Sequence, residues 1–341
     1  MILILTDESD RLQSHVIPVL EKKGAASIRF NTADFPQKTA ITIRYNDDCE
    51  DELSLSKNGE CFDLRDVRTV WYRRPGPPVA DPSASPEDRE FIRRESVHVL
   101  GALWHLLRDR FWVNPYQKSN TAEHKPYQLQ VARAVGLEVP RTLITNEPNE
   151  VREFYKRCGG QIIYKCFTQY ARRENGTGCG IYTSRVASDA LETHVDQVGL
   201  APCIFQEYVP KKHELRVTVI GRKIFTSEID SQSTQHSKDD WRRYMFVQHA
   251  PQRASDLPDW LKAKIHAMLQ QMGLVFGCLD FVVTPDGRFV FLELNPNGQW
   301  YWVEEATGMP LVDNFTEMLV EGTSDYNDPV TLLPSAISEI Y

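Results

Sequence analysis

The sequence predicts a mixed α/β and α+β protein in three parts, residues 1–115, 116–205 and 206–341. Three observations carry this expectation. The chain opens with a short apolar run, a helical stretch and a second apolar run, the β-α-β pattern of a small α/β domain. The middle alternates strand-like and helix-like segments. The remainder is rich in strands.

In order, Ile2–Leu5 reads as a buried strand, a helix follows to about Glu21, and Ser27–Phe30 reads as a second strand. Val67–Tyr72 is a strand that ends in Arg73-Arg74-Pro75. The next segment, PGPPVADPSASP, has a composition that buries no core and reads as a surface excursion. Phe91, Val99, Leu103 and Leu106 recur at helical spacing and predict a long helix from Glu87 to Arg108. One further helix is expected over Ser119–Gly136, stopped by its glycine. Strands follow at RTLIT, IIYKCF, GIYTSRV and CIFQEYV, with helices near Glu147–Cys158 and Ser188–Val198. Strands HELRVTVIG, KIFTSEID, CLDFVVT and RFVFLELN complete the pattern, with helices near Pro258–Met272 and Pro310–Val320.

The net charge of −8, from 39 Lys+Arg against 47 Asp+Glu, argues against a general nucleic-acid or anionic-membrane binder. No stretch is apolar for long enough to span a bilayer, and MILILTDESD lacks the basic flank of a signal peptide, so a cytoplasmic protein is expected. The 7 cysteines form no Cys-x-x-Cys pair and fit reduced thiols.

The most informative stretch is CLDFVVTPDGRFVFLELNPNG, residues 278–298. Pro285-Asp286-Gly287-Arg288 signals a hairpin, because Asp-Gly accepts positive φ. A two-residue loop at Asp286-Gly287, or a four-residue loop over Pro285–Arg288, puts Asp280 directly opposite Glu293 on one face. A three-residue loop separates them. Asn295, two residues on, shares the face of Glu293. Two carboxylates and an amide are hard oxygen donors suited to Mg²⁺. Facing acids at the end of an apolar sheet repel each other without a cation.

The sequence has neither a P-loop nor the dinucleotide fingerprint. Gly176-Thr-Gly178-Cys-Gly180, a glycine-rich loop between two strands, offers backbone N–H groups to phosphates instead. Lys165 lies in the apolar run IIYKCF, where a charge calls for a partner or an anion. Lys125, in AEHKPYQL, is ambiguous by itself.

In order and spacing, Lys125, Lys165, Phe205-Gln206-Glu207-Tyr208-Val209, Glu214 and Asp280…Glu293-x-Asn295 resemble the ATP-grasp superfamily. Within it, VWYRRP, WVNP, EVPRTLITNEP, HELRVTVIG, SEIDSQS followed by DDWRRY, and FLELNPNGQWYWVE are similar to the graspetide synthetases, including the microviridin-type peptide cyclases. Cys166 departs from the pattern, since many relatives carry proline after the strand lysine.

The resemblance implies an ATP-grasp fold: an N-terminal α/β domain, then central and C-terminal α+β subdomains with ATP between them. It implies ATP and Mg²⁺ as cofactors. Lys125 and Lys165 would reach the phosphates, Gln206, Glu207, Tyr208 and Val209 would form the adenine hinge, and Glu214 would hold the ribose. Asp280, Glu293 and Asn295 would hold the metal. The implied partner is a ribosomally made precursor peptide with a helical leader, in which Asp or Glu carboxylates are joined to Ser/Thr hydroxyls or Lys amines. The family also implies a homodimer.

Arg216 alternates with Leu215 and Val217, away from the apolar face, and is assigned to the γ-phosphate or acyl phosphate, with Arg242 second. Arg73 and Arg74 are expected to receive an acidic peptide side chain. Asp230, Ser231 and Arg243 are expected on the substrate side. Two alternatives stay open: a RimK-like ligase that adds amino acids, and a nucleotide-binding module without turnover.

Overall fold

The computed structural model describes residues 1–47, 51–167, 171–174, 177–180, 183–233 and 250–324. The chain opens with β1 (Ile2–Thr6), α1 (Gln13–Lys22) and β2 (Ser27–Phe30). Every residue of β1 is buried, as befits a parallel strand covered on both faces. Next come β3 (Thr39–Arg44), β4 (Glu52–Lys57) and β5 (Glu60–Asp63), a separate antiparallel sheet. The sequence reading passes over this sheet, although ELSLSK alternates as a half-buried strand does. β6 (Thr69–Arg74) returns beside β1, and α2 (Pro86–Leu106) packs on the sheet through Leu100, Leu103 and Trp104. β7 (Phe111–Val113) completes the parallel order β2-β1-β6-β7. Ser85 ends the surface excursion: its side chain accepts from Asp88 N, and Pro86 occupies the first turn of α2.

Two helices, α3 (Tyr116–Ala122) and α4 (Lys125–Ala134), replace the single one expected. Pro126 explains the break, because a residue without an N–H is tolerated in the first turn of a helix and not in its middle. β8 (Thr142–Thr145), α5 (Pro148–Arg157) and β9 (Ile162–Lys165) follow, then the hairpin of β10 (Ala171–Glu174) and β11 (Thr177–Gly180). Gly178 and Gly180 thus lie in a strand rather than in the open loop expected, and Gly176 lies outside the described residues. β12 (Ser184–Arg185), α6 (Ser188–His194) and β13 (Cys203–Glu207) complete an antiparallel sheet ordered β12-β9-β13-β8.

The last part comprises β14 (His213–Ile220), β15 (Lys223–Ile229), β16 (Gln252–Ser255), α7 (Asp259–Met272), β17 (Phe276–Val283), β18 (Phe289–Asn295), α8 (Tyr301–Thr307) and α9 (Leu311–Glu321). Its strands form an antiparallel sheet ordered β16-β15-β14-β17-β18. One face packs on α4 and α7 through Val131, Leu261, Ile265, Phe281 and Phe291. A second core joins the first and last parts of the chain, with Ile2, Ile4, Val16 and Trp71 packed with Phe276, Trp300, Phe315 and Leu319. The Phe315 ring lies 5.0 Å from Trp71, 5.3 Å from Trp300 and 5.5 Å from Phe276. Among the described residues no helix is long and apolar enough to cross a membrane. Cys61, Cys158, Cys166, Cys203 and Cys278 are free thiols.

Candidate active site

β17 and β18 put Asp280 directly opposite Glu293, with Cys278 opposite Asn295. The expected pair is present, but the turn that produces it is not the one expected. Thr284 N donates to Arg288 O and Gly287 N donates to Thr284 O, which closes a three-residue loop, Pro285-Asp286-Gly287. Gly287 supplies the φ of 86° that this loop needs. Beside the loop, Val283 pairs with Phe289 and Phe281 with Phe291, the register that would separate the acids. A register shift between Asp280 and Phe281, of the kind a β-bulge makes, then passes over Leu292 and restores the pair.

Each acid is met by a cationic side chain. Lys125, the first residue of α4, places Nζ 2.7 Å from Glu293 Oε2. Gln128, one turn further on, donates Nε2 to Leu294 O at 2.7 Å and accepts from Leu294 N at 2.9 Å. β18 is the sheet's edge, so Gln128 supplies hydrogen bonds that a further strand would otherwise make. Sequence reasoning missed Gln128; its i,i+3 spacing from Lys125 was the available signal. Arg216, on β14, directs Nη1 to both oxygens of Asp280, at 2.9 and 3.1 Å, and Nη2 to Gln299 O at 2.8 Å. Burial opposes its charge, but Asp280, together with the neighbouring Cys278 and Glu293, offsets that and holds its pKa above the usual guanidinium value. Breaking such a buried pair by removing one partner leaves an uncompensated charge.

A cleft opens between β9 and β13 on one side and β17 and β18 on the other. Lys165, Gln206, Glu207, Tyr208, Val209, Glu214, Asp280 and Glu293 line it, with Ile163, Val282 and Leu292 as apolar walls. Lys165 is buried at the end of β9. Gln206 is buried too; it donates to Thr142 Oγ1 at 3.0 Å while its Oε1 has no hydrogen-bond partner among the described residues. Glu207 Oε1 accepts from Arg141 N at 2.9 Å, and Oε2 accepts from Arg141 Nε at 2.6 Å. The Arg185 guanidinium lies over the Tyr208 ring, 3.7 Å from its centroid. Glu214 pairs at 2.8 Å with Lys211, a half-buried cleft residue that sequence reasoning did not single out. Among the described residues no three His, Cys, Asp or Glu side chains gather to hold a metal. Asp280, Glu293 and the Asn295 amide are hard oxygen donors, and with oxygens from outside the protein they would make a set that fits Mg²⁺.

Several expected substrate contacts have other surroundings. Arg73 does not stand beside Arg74 in solvent. Strand alternation turns it inward, where it is 2% exposed, with Nε 2.9 Å from Asp10 Oδ2 and Nη1 bonded to the carbonyls of Asn297 and Gly298. Burial pushes its pKa down against the pull of Asp10. Arg74 is exposed and donates to Asn297 O at 3.1 Å. Ser231 is fully buried and accepts from Gln232 Nε2 at 3.2 Å, whereas Asp230 is exposed. Arg242 and Arg243 lie outside the described residues.

Two antiparallel sheets facing each other across a cleft lined by lysine and acid place the chain in the ATP-grasp class. The MvdD pre-ATP-grasp domain family matches residues 1–120. The structure is similar to macrocyclase MdnB from Microcystis aeruginosa MRC, 32% identical, with 94% of this chain and 99% of that one covered at a TM-score of 0.78. Macrocyclase MdnC from the same organism, bound with precursor peptide MdnA, is 29% identical over 94% and 99% of the two chains, at 0.82. A Chryseobacterium gregarium RiPP-associated ATP-grasp ligase, in complex with ADP and a leader and core peptide, is 26% identical over 94% and 97%, at 0.83. The chain belongs to the graspetide synthetases of the ATP-grasp superfamily. Curated relatives include the probable alpha-L-glutamate ligase 1 of Shewanella sp. (strain MR-4), 23% identical over 195 residues; the match spans 56% of this chain and 61% of that protein.

Proposed function

We propose that the chain is an ATP-dependent macrocyclase of a ribosomally made precursor peptide. It phosphorylates Asp or Glu side-chain carboxylates with ATP to acyl phosphates and ADP, and Ser/Thr hydroxyls or a Lys amine then attack the acyl carbon and displace inorganic phosphate to form ester or amide rings. The observation that carries this reading is the cleft itself, where Lys165, Gln206–Val209, Glu214, Asp280 and Glu293 meet from distant parts of the chain.

In this reading the adenine lies against Gln206–Val209. The amides of Glu207 and Tyr208 already donate to Arg141 O and Gln161 O, each at 2.9 Å, so the base would draw on other backbone groups of the hinge. Glu214, anchored by Lys211, takes the ribose, and Lys125 and Lys165 take the phosphates. Asp280, Glu293 and Asn295 would hold Mg²⁺, which supplies electrostatic stabilisation of phosphoryl oxygens when bound. Arg216 stabilises charge on the transferring group from beside Asp280, with Arg242 a second candidate for that task. Arg74, Asp230 and Arg243 are assigned to the peptide side, and homodimeric assembly belongs to the same reading.

The test is to incubate the purified protein with Mg-ATP and a precursor encoded beside its gene, rich in Ser/Thr and Asp/Glu. Peptide-dependent ADP release and a product lighter by one water per bond are expected. A product heavier by amino-acid residues would favour a tailing ligase, and no peptide-dependent ADP would leave a binding module. Glu293→Gln is expected to abolish turnover with the far-UV circular dichroism unchanged; retained turnover would remove Glu293 from the site.

A further inference from the structure

We infer that Arg73 is a positioning residue for the metal end of the cleft, holding the 296–299 turn that aims Asn295 and Arg216. The inference rests on the ligase reading above. The turn begins where β18 ends, and it fixes the amide of Asn295: Asn297 N donates to Asn295 Oδ1 at 3.0 Å, and Gly298 N to Asn295 O at 3.3 Å. Three successive carbonyls of the turn accept from guanidinium groups. Arg73 Nη1 binds those of Asn297 and Gly298, Arg74 Nη2 adds to the first at 3.1 Å, and Arg216 Nη2 binds that of Gln299 at 2.8 Å. Arg73 and Arg216 come from two different sheets, so the turn is gripped from both sides.

The turn has little room to relax. Asn114 Nδ2 holds Pro296 O at 2.9 Å. A Cβ on Gly298 would lie 2.5 Å from Cys278 Cβ and 2.9 Å from Arg216 Nη2. Arg73 itself is locked, paired with Asp10 at 2.9 Å with side chains only 2% and 4% exposed. Burying a guanidinium carries a desolvation cost that specific partners must offset, and here those partners are Asp10 and the turn. A lysine keeps the charge but lacks the planar fork that reaches both at once. A shift of the turn therefore reaches the Asn295 oxygen through Asn297 N and the Arg216 guanidinium through Gln299 O.

The experiment is calorimetric titration of folded wild type and Arg73→Lys with ADP, once with excess Mg²⁺ and once with EDTA. Wild type is expected to bind MgADP. Arg73→Lys is expected to weaken MgADP binding about tenfold or more, as losses of partners behind metal ligands do, with ADP binding in EDTA unchanged. Asp10→Asn, which keeps the arginine but loosens its anchor, is expected to shift in the same direction by less, and it carries the test if Arg73→Lys does not fold. Equal MgADP affinity in wild type and variants overturns the inference and leaves the ligase reading standing, as does an equal loss with and without metal. Failure of wild type itself to bind MgADP overturns both.

Discussion

Gly298 shows how far single atoms constrain this site. A methyl group there meets Cys278 and Arg216 at distances real contacts do not reach, and Cys278 is itself buried. Gly298→Ala is expected to displace Arg216 and cost about a hundredfold in turnover, the scale of a misplacement of about 1 Å, measured as peptide-dependent ADP release. Histidines set a second expectation. Burial lowers the pKa of His213, despite nearby Glu228, and likewise that of His266. Both are neutral in the folded protein at pH values where the unfolded chain still binds protons. Stability from this source is therefore full above the ordinary histidine value, about 6.5, and falls as pH drops from there toward the native values. Urea midpoints at about pH 7.5 and about pH 5.5 measure this slope, and His213→Gln with His266→Gln is expected to flatten it. At this scale Lys165, Gln206 and Glu214 were legible, because their type, order and spacing follow a pattern. Arg73 was not: two adjacent arginines look alike in a sequence, and only the packed sheet shows which one turns inward. Lys211 was missed because a polar residue at an ordinary loop position carries no mark of what it touches, and Gln128 because its one signal was a three-residue spacing from Lys125.

Elements were legible where one signal dominates, and less so where two departures compensate. The strands of the β17–β18 hairpin followed from alternation; the facing of Asp280 and Glu293 was expected from a two- or four-residue loop, and it stands because a three-residue loop and a register shift offset each other. Asp-Gly serves loops of several lengths, and a bulge leaves no residue signature in a strand of apolar side chains. The loop makes its own prediction. Gly287, at φ 86°, is required by its conformation and has open space around the position of a Cβ. Gly287→Ala is expected to lower stability by about 1–2 kcal/mol, read by urea denaturation, with turnover per folded molecule unchanged. In a regular strand Leu292 and Glu293 would point to opposite faces; here both line the cleft, so the irregularity also shapes the cleft wall.

The whole molecule is more tightly joined than the division into three consecutive parts anticipates. Trp71 from the first part and Phe276, Trp300 and Phe315 from the last share one core, a contact between segments far apart in sequence that no local pattern announces. Phe315→Ala is expected to cost about 3–5 kcal/mol and to loosen both parts in a single transition, followed by tryptophan fluorescence and far-UV circular dichroism together. Two separate transitions would show that the shared core does not couple them. The ion pairs at the cleft floor carry a further consequence. Glu293 and Asp280 are each already answered by a positive side chain. A lone divalent ion arriving there meets a centre with little net charge to attract it, whereas a nucleotide brings negative charge to which Lys125 and Arg216 can turn. Ion and nucleotide should therefore enter together, and magnesium injected without nucleotide should register almost no heat.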